Sequence, residues 1–541
     1  MMKKILFLLL LIASIAHAQE DAWVYFKDKP DAAYYMANPL EMLSQKALDR
    51  RTKQGIALDD KDIPIHPEYI TAITNTSGVT VMAKSKWLNA LHVRGSVATL
   101  RSLEQLSFVF GVDFADNSLD AQGKPITEKQ KLQQRQQVKK AQKPQENFNY
   151  GNSVNQIQML NGHLLHEHDF TGTGMTIAVL DAGFPGVNTA QPFTRLYNNN
   201  LVMGGYNFVD RTNNVYTRGT HGTMVLSTMC GYTEGQLVGT APNAAYYLFI
   251  TEDVNSENPV EESYWVEAAE AADSLGVDVI NTSLGYFGYD NNNYSYTYED
   301  VNGQTAFITR GANVAFTRGM ICVTSAGNSG AGSNPNIGVP ADAPNTLTVG
   351  AVDSARQYVS FSSIGPTYDM RVKPDVMAQG RADVLSDTSG NITTASGTSF
   401  SSPVTAGLVA CLWQALPDKT NVEILQLIRQ SADRYNNPNV QYGYGIPDFW
   451  KAKQTELSVS DLEKQTFLLY PNPAKSTVNI ALPTGFSNAA ITVYNSLGQV
   501  VFNRDINSGQ PQFSVENLPT GIYNYRMQSG ANSQTGKLIK E

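Results

Sequence analysis

The hydrophobic pattern opens with one apolar run, residues 5–12, behind Lys3 and Lys4 and ahead of Ala16-His17-Ala18. Charged, apolar and small-residue regions in that order predict a cleaved signal peptide over 1–18, and the run is too short to span a bilayer. Residues 19–116 then mix two rhythms: 22–26, 79–82 and 108–112 read as strands, and 97–106 has helical apolar spacing. Over 117–149 the pattern collapses into Gln, Lys and Pro, as in Lys131-Leu132-Gln133-Gln134-Arg135, with almost no aromatic or β-branched residue until Phe148. Such a stretch cannot bury a core and predicts a linker.

From 150 to 455 short apolar runs of buried-strand type (175–180, 246–250, 277–280, 320–324) alternate with helical segments such as 260–275. Strand, helix, strand in series predicts an α/β domain, a parallel sheet with helices on both faces. After a short linker at 456–465, residues 466–541 switch to brief alternating strands broken by Pro, Gly and Asn, as in Val478-Asn479-Ile480 and Ile491-Thr492-Val493-Tyr494. That predicts a small β-sandwich. No other stretch approaches membrane-spanning length.

Composition narrows the partners. The 541 residues carry 40 Lys+Arg against 49 Asp+Glu, a formal charge of −9. Losing Lys3 and Lys4 with the signal makes it 38 − 49 = −11. A chain this acidic is not built for nucleic acid. Cys230, Cys322 and Cys411 are an odd set in apolar surroundings, which predicts buried free thiols, one disulfide with a leftover thiol being the alternative.

Four short sequences in the central region carry chemistry. Ile177-Ala178-Val179-Leu180-Asp181-Ala182-Gly183 ends an apolar strand in a carboxylate, at the strand end where open parallel sheets hold ligands. Gly219-Thr220-His221-Gly222-Thr223 sets a histidine between glycines. Gly397-Thr398-Ser399-Phe400-Ser401-Ser402-Pro403 puts a serine where a turn becomes a small-residue helix, whose N-terminal N–H groups and dipole suit an oxyanion. Ser325-Ala326-Gly327-Asn328 offers a side-chain amide at a strand end. Singly, each is as well explained as a turn, a cap or a structural histidine. Jointly, their order Asp, His, Ser is that of subtilisin.

Over roughly 150–455 the chain resembles the subtilase (S8) family, on Gly-Thr-His-Gly-Thr, Gly-Thr-Ser-x-Ser-Ser-Pro, Gly239-Thr240-Ala241-Pro242 and Asn281-Thr282-Ser283-Leu284-Gly285. Ala182 departs from the Thr or Ser common after the family's Asp. The resemblance implies a secreted serine endopeptidase with a triad of Asp181, His221 and Ser399, and Asn328 in the oxyanion hole. It implies a substrate pocket lined by Ser283, Leu284, Gly285, Ala326 and Gly327, no cofactor for the chemistry, and room for structural calcium with no metal ligands assigned. Residues 19–116 resemble a subtilase propeptide, an inhibitory partner within the chain. The C-terminus resembles the sorting domain of the type IX secretion system, on Leu469-Tyr470-Pro471-Asn472-Pro473 and Leu518-Pro519-Thr520-Gly521. A carbohydrate-binding sandwich is its other reading. The sorting-domain resemblance implies a Gram-negative host and the type IX machinery as a partner.

A catalytically inactive surface adhesin on the same scaffold would fit a chain with a vacant triad position; every position is filled. A zinc site at His163, His166 and His168 fails on spacing, which predicts surface histidines. Glu252, Asp253, Glu257, Glu261 and Glu262, with no cation among them, predict a negative cleft rim that favours basic substrate side chains; the other readings are that Glu261 and Glu262 merely suit the N-terminus of the following helix, or that some of the carboxylates bind calcium.

Overall fold

The computed structural model describes residues 19–120, 148–455, 468–470, 472–481, 488–495, 499–507, 512–529 and 532–541. The signal peptide, the second linker and most of the first lie outside these residues. The chain divides into two units, Met1–Ala452 and Lys453–Glu541.

The N-terminal part of the first unit is a four-stranded antiparallel sheet, ordered β2-β3-β1-β4. Its elements are β1 (Gln19–Phe26), α1 (Gln45–Lys53), α2 (Pro67–Thr74), β2 (Val79–Ser85), β3 (Ala90–Ser96), α3 (Val97–Ser102) and β4 (Val109–Phe114). The short turn Asn117–Leu119 folds back on this sheet, with Asp120 Oδ1 accepting from Phe114 N at 2.9 Å. The fold therefore runs a few residues into the segment read as linker.

The central part is a seven-stranded parallel sheet, ordered β11-β10-β9-β8-β5-β7-β6. Its strands are β5 (Thr176–Asp181), β6 (Val202–Asn207), β7 (Ala245–Ile250), β8 (Val279–Thr282), β9 (Ile321–Ser325), β10 (Leu347–Val352) and β11 (Val376–Gln379). Its main helices are α4 (His221–Cys230), α5 (Val260–Leu275), α6 (Phe307–Thr317) and α7 (Thr398–Ala415). Successive strand residues point to opposite faces, and the two cores sort accordingly. Ile177, Val179, Ile321 and Val323 join the core under α4 and α7; Ala178, Leu180, Ile280 and Cys322 join the core under α5 and α6. A sheet covered on both faces explains why these strands read as unbroken apolar runs. β6, interrupted by Gly204 and Gly205, gave no such run.

The N-terminal sheet packs on the second face. Trp23, Ala83 and Trp87 share a core with α5 and α6, and the Trp23 ring stacks on Phe307 at 5.1 Å. Glu270 of α5 accepts from Ser85 Oγ at 2.6 Å and from Lys86 N and Trp87 N at 2.9 Å. Burial pushes that carboxyl up to about 7 against these bonds. The C-terminal unit holds seven strands among its described residues, in antiparallel sheets of three and four around Val478, Ile491, Phe513, Met527 and Leu538.

Candidate active site

The sheet's chain order reverses between β5 and β8: β7 and β6 follow on one side, β8 to β11 on the other. A crevice opens at such a switch point, beyond the carboxyl ends of the strands. β5 ends there on Asp181, fully buried. His221 begins α4 beside it, and its Nδ1 meets Asp181 Oδ1 at 2.8 Å. The same oxygen accepts from Ala182 N at 2.7 Å. Gly222 is what allows the helix so close, since a Cβ there would lie 2.5 Å from Gly183 O and 2.9 Å from Asp181 Cβ. Burial works against the imidazolium, but the Asp181 charge and hydrogen bond outweigh it and raise the pKa of His221.

Ser399 stands at the second residue of α7, at the helix start as expected, and Pro403 lies inside the helix. That placement has a local consequence. Proline has no N–H to give to the carbonyl four residues back, which is that of Ser399. Ser283 Oγ takes the place, donating to Ser399 O at 2.8 Å. Ser399 Oγ in turn donates to Ser283 O at 3.3 Å, and no hydrogen bond among the described residues joins it to His221. The His221 and Phe400 rings lie 5.9 Å apart. Catalytic hydrogen bonds are often long without substrate and tighten in the complex.

Asn328 is exposed, and its orientation is set by a residue that sequence reasoning did not single out. Thr398 donates to Asn328 Oδ1 from both its backbone N (2.9 Å) and its Oγ1 (3.0 Å). With its oxygen so used, the amide presents Nδ2 as its free donor. Only the immediate neighbourhood of Thr398 and Ser399 in the motif hinted at this.

Of the expected pocket residues, Ser283 is bonded to Ser399 as above, and Gly327 N donates to Thr398 Oγ1 at 3.2 Å. Leu284 is half-buried and Gly285 exposed. Ala326 is buried in a small core with Val301, Ile337 and Ala341, so its methyl supports this wall from behind.

The acidic rim differs from expectation. Glu261 and Glu262 are fully buried. Glu261, in the first turn of α5, accepts from Asp253 N (2.7 Å) and Asn258 N (3.0 Å) and so ties the preceding loop to the helix start. Glu262 turns inward to Tyr289 OH, Tyr296 OH and Ile308 N. Asp253 pairs with Arg218 at 2.8 Å, a cation brought in from beyond the segment. The five carboxylates therefore do not make one negative surface. Oxygens of Glu252, Glu257 and Glu261 lie within 4.8 Å of one another. Burial first, then mutual repulsion, raises Glu252, and burial takes Glu261 up to about 8.

The three histidines part company. His166 is buried between Tyr150 OH (2.8 Å) and Thr240 O (3.0 Å), correcting its reading as a surface residue, while His168 is exposed against Trp450. Cys230, Cys322 and Cys411 are all buried and free, and burial pushes the Cys322 thiol up to about 12.

Three family models match the chain: "Subtilase family" over residues 172–445, "Peptidase S8 propeptide domain, Bacteroidota" over 21–137, and "Secretion system C-terminal sorting domain" over 468–541. Subtilisin of Bacillus pumilus is 31% identical over 301 residues, 55% of this chain and 98% of its own. Subtilisin NAT of Bacillus subtilis subsp. natto is 30% identical over 301 residues, 55% of this chain and 70% of its own. Among solved structures, MycP1 from Mycobacterium smegmatis aligns with 57% of this chain and 86% of its own, at 23% identity and a TM-score of 0.45.

Proposed function

The chain belongs to the subtilase family of serine endopeptidases, and from that premise we propose that Asp181, His221 and Ser399 form its catalytic triad, with Asn328 as an oxyanion donor. The 2.8 Å bond between His221 Nδ1 and Asp181 Oδ1 carries this reading. It assigns the proton to Nδ1 and leaves Nε2 basic. Nε2 takes the Ser399 proton as Oγ attacks a peptide carbonyl, whose π pair moves onto its oxygen. Asn328 Nδ2 and the Ser399 N–H, unpaired in the first turn of α7, donate to that oxygen. The imidazolium, offset by Asp181, then protonates the departing amine, and an acyl ester remains on Ser399. Water, activated by the same base, releases the acid. The substrate side chain before the cut bond would lie along Ser283-Leu284-Gly285 and Ala326-Gly327.

The sorting-domain match and the Bacteroidota propeptide match mark a secreted or cell-surface protein of a Gram-negative lineage. In this reading the signal peptide starts export, residues 466–541 engage the type IX machinery, and residues 19–116 inhibit the enzyme until the linker is cut. Ser399→Ala tests the core of the proposal. Peptide hydrolysis by the processed protein should fall about 10⁶-fold in kcat, the size known for the nucleophile of subtilisin, a relative. Near-normal hydrolysis would overturn it.

A further inference from the structure

Between β1 and α2 the N-terminal domain carries a long insert, residues 27–66, outside its four-stranded sheet. Met42, Leu43, Ala47 and Ile63 give the insert a small core of its own. Lys29 Nζ closes it, donating to the carbonyls of Asp60, Ile63 and Lys86 at 2.5, 2.7 and 2.6 Å.

The insert meets the peptidase domain at the amino ends of the parallel strands. Lys46 pairs with Asp278, just before β8, at 3.2 Å and bonds Thr176, the first residue of β5. Arg50 reaches Asp273 and the carbonyl of Val277. Arg51 bonds Asp62 of the insert at 2.8 Å and Asp273 of the peptidase domain at 2.7 Å. Arg318 of the peptidase domain answers with Asp59 at 2.8 Å and Asp62 at 3.3 Å. Gln54 donates to Gly319 O at 2.8 Å and accepts from Asn421 N at 3.0 Å. Asp62 and Asp273 are fully buried. The peptidase surface follows the α1 backbone closely: a Cβ at Gly276 would stand 2.8 Å from Ala47 N. The triad residues lie at the other ends of these strands, about 17 Å away along β5.

We propose that residues 27–66 are a second anchor, which holds the cut N-terminal domain on the peptidase domain independently of the cleft. This rests on the reading of that domain as an inhibitory propeptide. Its grip is ionic and buried, so each partner lost leaves a charge uncompensated on the other side. A cut in the linker severs the chain and leaves this contact intact. Release of the enzyme then depends on a further cut within residues 19–116 or on slow dissociation.

The test uses the full chain after linker cleavage. Size exclusion reads whether the N-terminal fragment travels with the remainder, and dilution reads how fast activity appears. The wild-type fragments should co-elute and gain activity slowly. Arg50→Met/Arg51→Met leaves the sheet's own contact through Trp23, Trp87 and Glu270, but it should weaken co-elution and speed the appearance of activity roughly 10²- to 10³-fold. The final kcat/KM should match wild type, because neither arginine touches the cleft. Gln54→Ala, which removes two hydrogen bonds and no charge, covers the case in which the double variant fails to fold; its release should be about three- to thirtyfold faster. Variants that fold yet release at the wild-type rate overturn the anchor. Fragments that separate but leave an inactive enzyme overturn the triad reading instead.

Discussion

The two ends of the same parallel strands are finished differently. At the carboxyl ends polar groups are left open. Asp181 Oδ2 is buried without a partner, Asn328 presents its amide nitrogen outward, and Ser399 Oγ makes one long bond of 3.3 Å. At the amino ends, Arg50, Arg51, Arg318, Asp62 and Asp273 close on one another, and only the Nε atoms of Arg50 and Arg51 lack partners. A surface that must accept a reacting group keeps donors and acceptors in reserve, whereas one that only holds a domain satisfies them. Buried polar groups are costly when unpaired, and the open set at the carboxyl ends includes the groups proposed above for catalysis.

The contrast breaks most severely at Asp181. Asp181→Asn should lower kcat by about 10⁴, as the equivalent change does in a serine-protease triad. It should also move the pH profile. Catalysis needs neutral His221, and in the wild type its net raised pKa places the acid limb above the ordinary imidazole range near about 6.5. Without the Asp181 charge the imidazolium loses its support, so the limb of the residual activity should shift to lower pH. A profile of kcat/KM against pH decides this; an unmoved limb would separate Asp181 from His221.

At the other end, Arg318→Met leaves Asp59 and buried Asp62 short of a cation. In an uncut Ser399→Ala background it should cost about 3–5 kcal/mol in denaturant unfolding, while kcat/KM of the enzyme freed of its N-terminal domain stays unchanged. Asn328→Ala should give the opposite division: kcat down about 10²–10³-fold with little change in KM, because the oxyanion forms only beyond the ground state. Smallest is Lys46→Ala. Its side chain is 43% exposed, and an ion pair of that kind contributes at most about 1 kcal/mol. A larger loss would make the anchor depend on its rim.

Much of this molecule was legible before folding. Strands with both faces covered announce themselves as apolar runs, and 175–180 and 320–324 fell within a residue of β5 and β9. The run at 277–280 anticipated β8 by two residues, because Val277 closes the turn that caps α5, its N–H bonded to Ala272 O. β3 escaped notice because His92, Arg94 and Gly95 break its alternation; His92 is tolerated because it meets Asp21 on the neighbouring strand β1 and Ser263 across the interface.

By itself, the sequence determined which residues could do chemistry: an acid at a strand end, a histidine among glycines, a serine at a helix start and an amide nearby, in one order along the chain. These are local facts, set by turn geometry and helix starts a few residues long. The tertiary structure decided what each group faces. It sent Glu261 and Glu262 inward, tied Asp253 to Arg218, used the gap left by Pro403 to lock Ser283 onto Ser399, and laid residues 27–66 along the amino ends of the sheet. Those outcomes join residues up to hundreds of positions apart, and charge, burial and pairing are properties of what surrounds a side chain, which no local pattern encodes.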